Sequence, residues 1–91
     1  MGLLIKNTRN VSVIGMNIRD NDNDGINFDA TANYYTIISN CIIMGNTDGI
    51  EVDENGHEYF IISDNIILHN SGTNLKDISG SSHNVTSDNL T

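Results

Sequence analysis

Ile37-Ile38-Ser39-Asn40-Cys41-Ile42 returns 24 residues later as Ile61-Ile62-Ser63-Asp64-Asn65-Ile66. At the same spacing stand Val13-Ile14-Gly15-Met16-Asn17-Ile18 upstream and Val85-Thr86-Ser87-Asp88-Asn89-Leu90 downstream. Further along the unit, Asp24-Gly25-Ile26 falls on Asp48-Gly49-Ile50. A repeat of this length means one supersecondary unit stacked on itself, each copy burying its apolar face against the next.

Each unit reads as three short strands. In the second unit they are 35–38, 42–44 and 50–52, all β-branched and bounded by Asn, Gly, Ser or Asp. No stretch has a helical period of apolar residues, and the connections are too short for crossover helices. The strands therefore pair in parallel with their own copies, about 4.8 Å from coil to coil. The expected fold is an all-β, single-stranded parallel β-helix of about four coils of roughly 24 residues, residues 1–91 forming a single domain. Its parts are a partial coil 1–9, coils 10–33, 34–57 and 58–82, and a partial coil 83–91, a segment expected to belong to a longer stack.

Alternation along the strands points Tyr35, Ile37, Ile42, Met44, Ile50 and Val52 inward, and Thr36, Ile43 and Glu51 outward, leaving Ile43 and Ile67 as an exposed apolar pair. Asn17, Asn65 and Asn89 share a column with Cys41 at the turn after the first strand. Stacked amides there would satisfy corner polar groups along the axis. In the third unit Gly72-Thr73-Asn74-Leu75 replaces Asp-Gly-Ile, so the strand expected over 74–79 is shifted by an insertion.

Asn and Ile are each about one residue in six, Pro is absent, and the net charge is −8 with only four Lys and Arg. Without clustered cations the chain is not expected to bind nucleic acid or anionic lipid. Cations and neutral sugars remain suitable partners. One cysteine allows no internal disulfide. No secretory signal, myristoylation signal or membrane-spanning stretch is read in it.

Residues 33–52 resemble the right-handed parallel β-helix repeat of the pectin-lyase-like superfamily, which includes pectate lyases, polygalacturonases and phage tailspikes. Asn46-Thr47-Asp48-Gly49-Ile50 matches a polygalacturonase motif letter for letter. The resemblance implies catalytic roles for Asp48 and, one coil back, Asp24. The partner Gly-Asp-Asp motif is replaced by His69-Asn70-Ser71-Gly72, or by Gly45-Asn46-Thr47-Asp48 in the earlier register, and the Gly-His-Gly and Arg-Ile-Lys motifs have no counterpart. The resemblance therefore implies an extracellular, cell-surface or virion protein that binds or helps process a polysaccharide, incomplete as an enzyme. Its alternative is a structural, oligomerising spike segment.

The acids fall in columns: Asp24 with Asp48, Asn27 with Glu51, and Asp29 with Asp53 and Asp77. Like charges about 5 Å apart repel by roughly 1 kcal/mol even in water, which makes the columns candidates for ion binding. Asp20-Asn21-Asp22-Asn23-Asp24-Gly25 has the alternate acids and glycine of a calcium turn, so Asp20, Asp22 and Asp24 are the candidate Ca²⁺ ligands. Asn27, Glu51, Asp53, His57 and Tyr34 are the candidate substrate contacts, with His57 in a solvated turn and Tyr34 more exposed than Tyr35 or Tyr59. Exposed strand edges at the ends of such a stack predict homo-oligomers or end-to-end stacking with further coils.

Overall fold

The computed structural model describes residues 1–29 and 31–91. Its strands are β1 (Leu3–Lys6), β2 (Arg9–Ile14), β3 (Asn17–Arg19), β4 (Ile26–Asp29), β5 (Tyr34–Ser39), β6 (Ile42–Met44), β7 (Ile50–Val52), β8 (Glu58–Ser63), β9 (Ile66–Leu68), β10 (Leu75–Asp77) and β11 (Asn84–Val85). Strands three apart in sequence pair in parallel, giving sheets in the order β1-β4-β7-β10, β2-β5-β8-β11 and β3-β6-β9. The chain thus winds around three faces for three complete coils and part of a fourth. No helix occurs among the described residues.

Two of the three corners follow one recipe. After the β2-β5-β8-β11 strands, Gly15, Asn40, Asp64 and Asp88 all take positive φ, the left-handed conformation that Gly, Asn and Asp tolerate best. In the second and third coils the next residue, Cys41 or Asn65, is buried at the turn. Cys41 N and Asn65 N donate to the Oδ1 of Asn65 and Asn89, at 2.9 and 3.1 Å. After the β3-β6-β9 strands, Asp20, Gly45 and His69 take positive φ, followed by Asn21, Asn46 and Asn70. Asn46 Oδ1 accepts from the Asn21 backbone and side chain at 3.1 and 2.8 Å. Its Nδ2 donates to Ile18 O and Asn70 Oδ1, both at 3.2 Å. The third corner carries Thr8, Asn33 and His57, with Thr8 N on Asn33 Oδ1 at 2.8 Å and Asn33 N on His57 Nδ1 at 3.0 Å.

These ladders correct the expected register. Val13 pairs with Ile38 and Asn17 with Ile42, so the first two coils are offset by 25 residues along these sheets rather than 24. The additional residue sits in the turn before β4, since Ile26 pairs with Ile50 at 24. Met16 therefore occupies the position below Cys41, and Asn17 lies in the exposed column of Ile42 instead of the amide ladder. Cys41 is buried at the corner as expected.

Side-chain orientation is reversed on two of the three faces. Thr36, Ile38, Ile43 and Ile67 are buried, whereas Tyr35, Ile37 and Ile42 are exposed and Met44 is half-buried. The reason is local. Positive φ at Tyr35 and Tyr59 breaks the alternation at the strand start, and the paired isoleucines that follow are apolar at both parities. Phe60, stacked on Thr36 in register, marks the inward column. On β7 the expected orientation is found, with Ile50 and Val52 buried and Glu51 between them on the outer side. The core is a single cluster of Ile and Val columns with Phe28 and Phe60, whose rings meet edge-on at 5.6 Å.

Asn46 links the coils on both sides of it, to Asn21 and to Asn70, so its removal tests the corner scheme. Asn46→Ala leaves Asn21 N and Ile18 O without the Asn46 side chain, while Asn70 Oδ1 keeps the Asn46 backbone N–H, and unmade buried hydrogen bonds cost about 1–3 kcal/mol each. The expected loss is about 3 kcal/mol in urea-induced unfolding. Asn46→Asp, which keeps the acceptor but not the donors, should recover only part of it.

Candidate functional site

The Asp-Gly-Ile repeat is built as a clamp between coils. Asp24 Oδ1 accepts from Asp48 N at 3.3 Å, and Asp48 Oδ1 accepts from Thr73 N at 2.7 Å. A Cβ on Gly25 would lie 2.6 Å from Gly49 O, and one on Gly49 would lie 2.3 Å from Asn74 O. Only glycine allows that approach. The isoleucine then enters the core. Asp24 and Asp48 are 6% and 9% exposed. Their other oxygens are engaged as well: Asn27 Nδ2 donates to Asp24 Oδ2 at 2.7 Å, and Lys76 Nζ lies 3.6 Å from Asp48 Oδ2.

Next to these turns the outer face of β4, β7 and β10 carries Asn27, Glu51 and Lys76 in one register column. Glu51 Oε2 accepts from Lys76 Nζ at 2.9 Å. That hydrogen bond, with the charges of Glu51 and Asp48, holds the lysine above its ordinary range despite the opposing effect of desolvation, so the ammonium persists. Asp24, Asp48 and Glu51 bring carboxylate oxygens within 4.8 Å of one another. Lys76 supplies the positive charge that makes this convergence tolerable. Asn27 Oδ1 is buried beside Asp24 with no hydrogen-bond partner.

Lys76 is no part of the sequence expectation, because it occurs once and has no cation at the matching position of the other coils. The legible signal was the insertion before β10: Leu75 pairs with Ile50, an offset of 25, which carries Lys76 onto Glu51. The same shift places Asp77 on Val52, so Asp77 leaves the expected column with Asp53.

The expected calcium turn is not assembled from its own acids. Asp20 and Asp22 are exposed, and the converging set is Asp24 with Asp48 and Glu51. Three hard carboxylates with the Asn27 amide oxygen have the donor chemistry of a Ca²⁺ site, although Lys76 already stands among them.

His57 is not in a solvated turn. It is fully buried in the ladder column of Asn33, with its ring edge-on to Phe28 at 5.5 Å. Because Nδ1 accepts from Asn33 N, the ring carries its proton on Nε2 and donates it to Asp53 Oδ1 at 2.6 Å. His57 is therefore a corner member, out of reach of a substrate. Asp53 also accepts from Asn55 N and Nδ2 at 3.0 and 2.8 Å. Burial pushes the Asp53 carboxyl up, but the bonds from His57 and Asn55 outweigh it and hold the pKa below the ordinary value of 3.8. Tyr34 is half-buried, its ring 4.7 Å under the Arg9 guanidinium, while Tyr35 and Tyr59 are the exposed rings.

The sequence profile of the right-handed β-helix region matches residues 1–91. The chain belongs to that family, and its repeat is the right-handed parallel β-helix repeat, consistent with the pectin-lyase-like superfamily. It matches no curated protein and no solved structure.

The Asp53 carboxylate gives a pH dependence of known sign. A carboxyl held below its unfolded value contributes stability that is present above that value and lost as pH falls through the folded one. Stability should decline below about pH 4, and Asp53→Asn should flatten that acid limb while lowering stability at neutral pH. Urea midpoints measured from pH 3 to 7 check both.

Proposed function

We propose that the chain is a polysaccharide-binding β-helix module, in an extracellular, cell-surface or virion setting, whose contact face is the outer surface of β4, β7 and β10. The observation that carries this reading is the register column of Asn27, Glu51 and Lys76. Of that column, Glu51 and Lys76 present a carboxylate and an ammonium one coil apart on a rigid sheet, where they can exchange hydrogen bonds with successive sugar hydroxyls, while the Asn27 amide is buried against Asp24.

Binding is favoured over cleavage by the state of the two aspartates. An inverting glycosidase needs one carboxylate free to activate water and one carboxyl free to protonate the leaving oxygen. Asp24 and Asp48 spend their oxygens on Asn27, Asp48 N, Thr73 N and Lys76. The same oxygens would hold Ca²⁺ only with the Lys76 ammonium moved aside, so the lysine serves as the resident cation in this reading. The test is affinity electrophoresis of the full chain through gels containing a panel of neutral polysaccharides. Glu51→Gln combined with Lys76→Met should weaken retention at least fivefold on at least one polysaccharide of the panel without altering the fold; unchanged retention on every gel would remove this face from the reading.

A second reading, a rigid shaft that assembles with other coils, is favoured by one observation. The outer end of β1 and β2 opens onto an apolar hollow lined by Leu3, Ile5, Val11 and Val13. Light scattering should show mass rising with concentration, and Val11→Asp should suppress the rise. A monodisperse monomer at millimolar concentration counts against assembly.

A further inference from the structure

The outer face of the β2-β5-β8-β11 sheet is built unlike the rest of the surface. In a chain of net charge −8, two of its columns expose Tyr35, Tyr59 and His83, and beside them Ile37, Ile61 and Val85. No carboxylate belongs to either column. Tyr35 and Tyr59 are 49% and 47% exposed. They reach solvent through positive φ of 60° and 57°, a conformation that bulky residues rarely adopt. The strain recurs on successive coils and turns the same ring outward each time. Strained backbone that persists at an exposed aromatic points to use of that side chain.

The rings stack along the coil axis, Tyr35 on Tyr59 at 5.3 Å and Tyr59 on His83 at 4.8 Å. Stacking covers their faces and leaves their edges outward. Aromatic edges carry positive partial charge and suit oxygen lone pairs. Between the aromatic ridge and the aliphatic ridge runs a groove lined by Asn10, Ser12, Tyr35, Ile37, Tyr59 and Ile61. Each coil therefore presents an outward ring edge and an aliphatic side chain, repeated at about 4.8 Å.

We propose that this face is a second binding surface, taking a neutral, equatorially linked hexose polymer laid along the coil axis with one sugar per coil. Sugar C–H groups rest on Ile37, Ile61 and Val85, and sugar oxygens meet the ring edges. A sugar in such a chain advances by close to one coil pitch, so successive residues meet equivalent positions. The two columns carry no carboxylate of their own, and the acid nearest to them, Glu58, is already engaged by Ser81 and by His83 at 3.3 Å, which leaves a neutral partner the best match. Size argues against a second copy of the chain: the groove is lined by six residues, whereas a stable protein interface takes roughly 20–30 residues and about 800 Å² per partner. This surface lies on a different sheet from Asn27, Glu51 and Lys76, and neither proposal requires the other.

The chain has three tyrosines and no tryptophan, so tyrosine fluorescence reads this face directly. The probe is cellohexaose titrated into the full chain and into the Glu51→Gln/Lys76→Met double variant, which disables the acidic row. Saturable quenching is expected in both, with affinities within twofold of each other. Tyr59→Asn, whose new residue tolerates positive φ, and Ile61→Thr should each weaken binding at least fivefold while keeping the β-sheet circular dichroism of the parent. Absence of a saturable signal in the parent chain overturns the proposal. So does parent-like binding by both Tyr59→Asn and Ile61→Thr, and so does loss of the signal in the double variant, which would place the sugar on the acidic face. Dimerisation of the parent that Ile61→Thr abolishes would assign the face to a second copy and overturn it as well.

Discussion

Every coil must turn three times within about two dozen residues, and each turn strands backbone N–H and C=O groups beside the core. The hydrogen-bond ladders at those corners are the constraint on which the structure depends. Strand pairing alone satisfies the flat faces. At the corners the backbone leaves the ladder geometry, and an inward amide such as Asn46 or Asn65 stands in for it, bonding to the backbone of one coil and the amide of the next. The donor and acceptor on one planar group make asparagine suited to both tasks. His57 performs the same service beside Asn33 with two ring nitrogens, one accepting and one donating. This explains the asparagine content of the chain better than any ligand would.

What could be read in the sequence follows from which signals are redundant. The repeat was legible because strand, turn and glycine all recur. The strands at Ile42–Met44 and Ile50–Val52 fall where their β-branched residues and flanking turn residues put them. Facing direction was not legible on the first two faces, because Ile37-Ile38 and Ile42-Ile43 are apolar at both parities and only the buried neighbour decides. Register was misread between the first two coils because Gly15, Asn40 and Asp64 are interchangeable at positive φ, whereas the residues after them are not. A fixed offset aligns the letters; the hydrogen bonds align the coils, and they absorb an inserted residue in a turn without breaking.

The candidate site shows the same division. The Asn27 and Glu51 column and the Asp24 and Asp48 column were legible from spacing. Lys76 was not, because it occurs once and reaches the acids only through an insertion. Its presence alters the electrostatics of the row: a stack of carboxylates without a countercharge would have to be solvated, protonated or metallated. An ammonium 2.9 Å from Glu51 and 3.6 Å from Asp48 supplies that countercharge within the row.

The polygalacturonase-like motif illustrates how one set of letters serves two physical ends. In Asn46-Thr47-Asp48-Gly49-Ile50, Asn46 closes a corner ladder, Thr47 Oγ1 donates to Asp22 O at 2.9 Å, Asp48 clamps the next coil, Gly49 permits close approach and Ile50 fills the core. Each letter is accounted for by the needs of stacking. A catalytic use of the same motif therefore requires something beyond it: a neighbour that leaves an aspartate oxygen free and a second carboxylate across a water-sized gap. Here the neighbouring coils supply Thr73 N and Lys76 instead, and both consume those oxygens. What separates the stacking use of this repeat from a catalytic one is set by the coil after the motif.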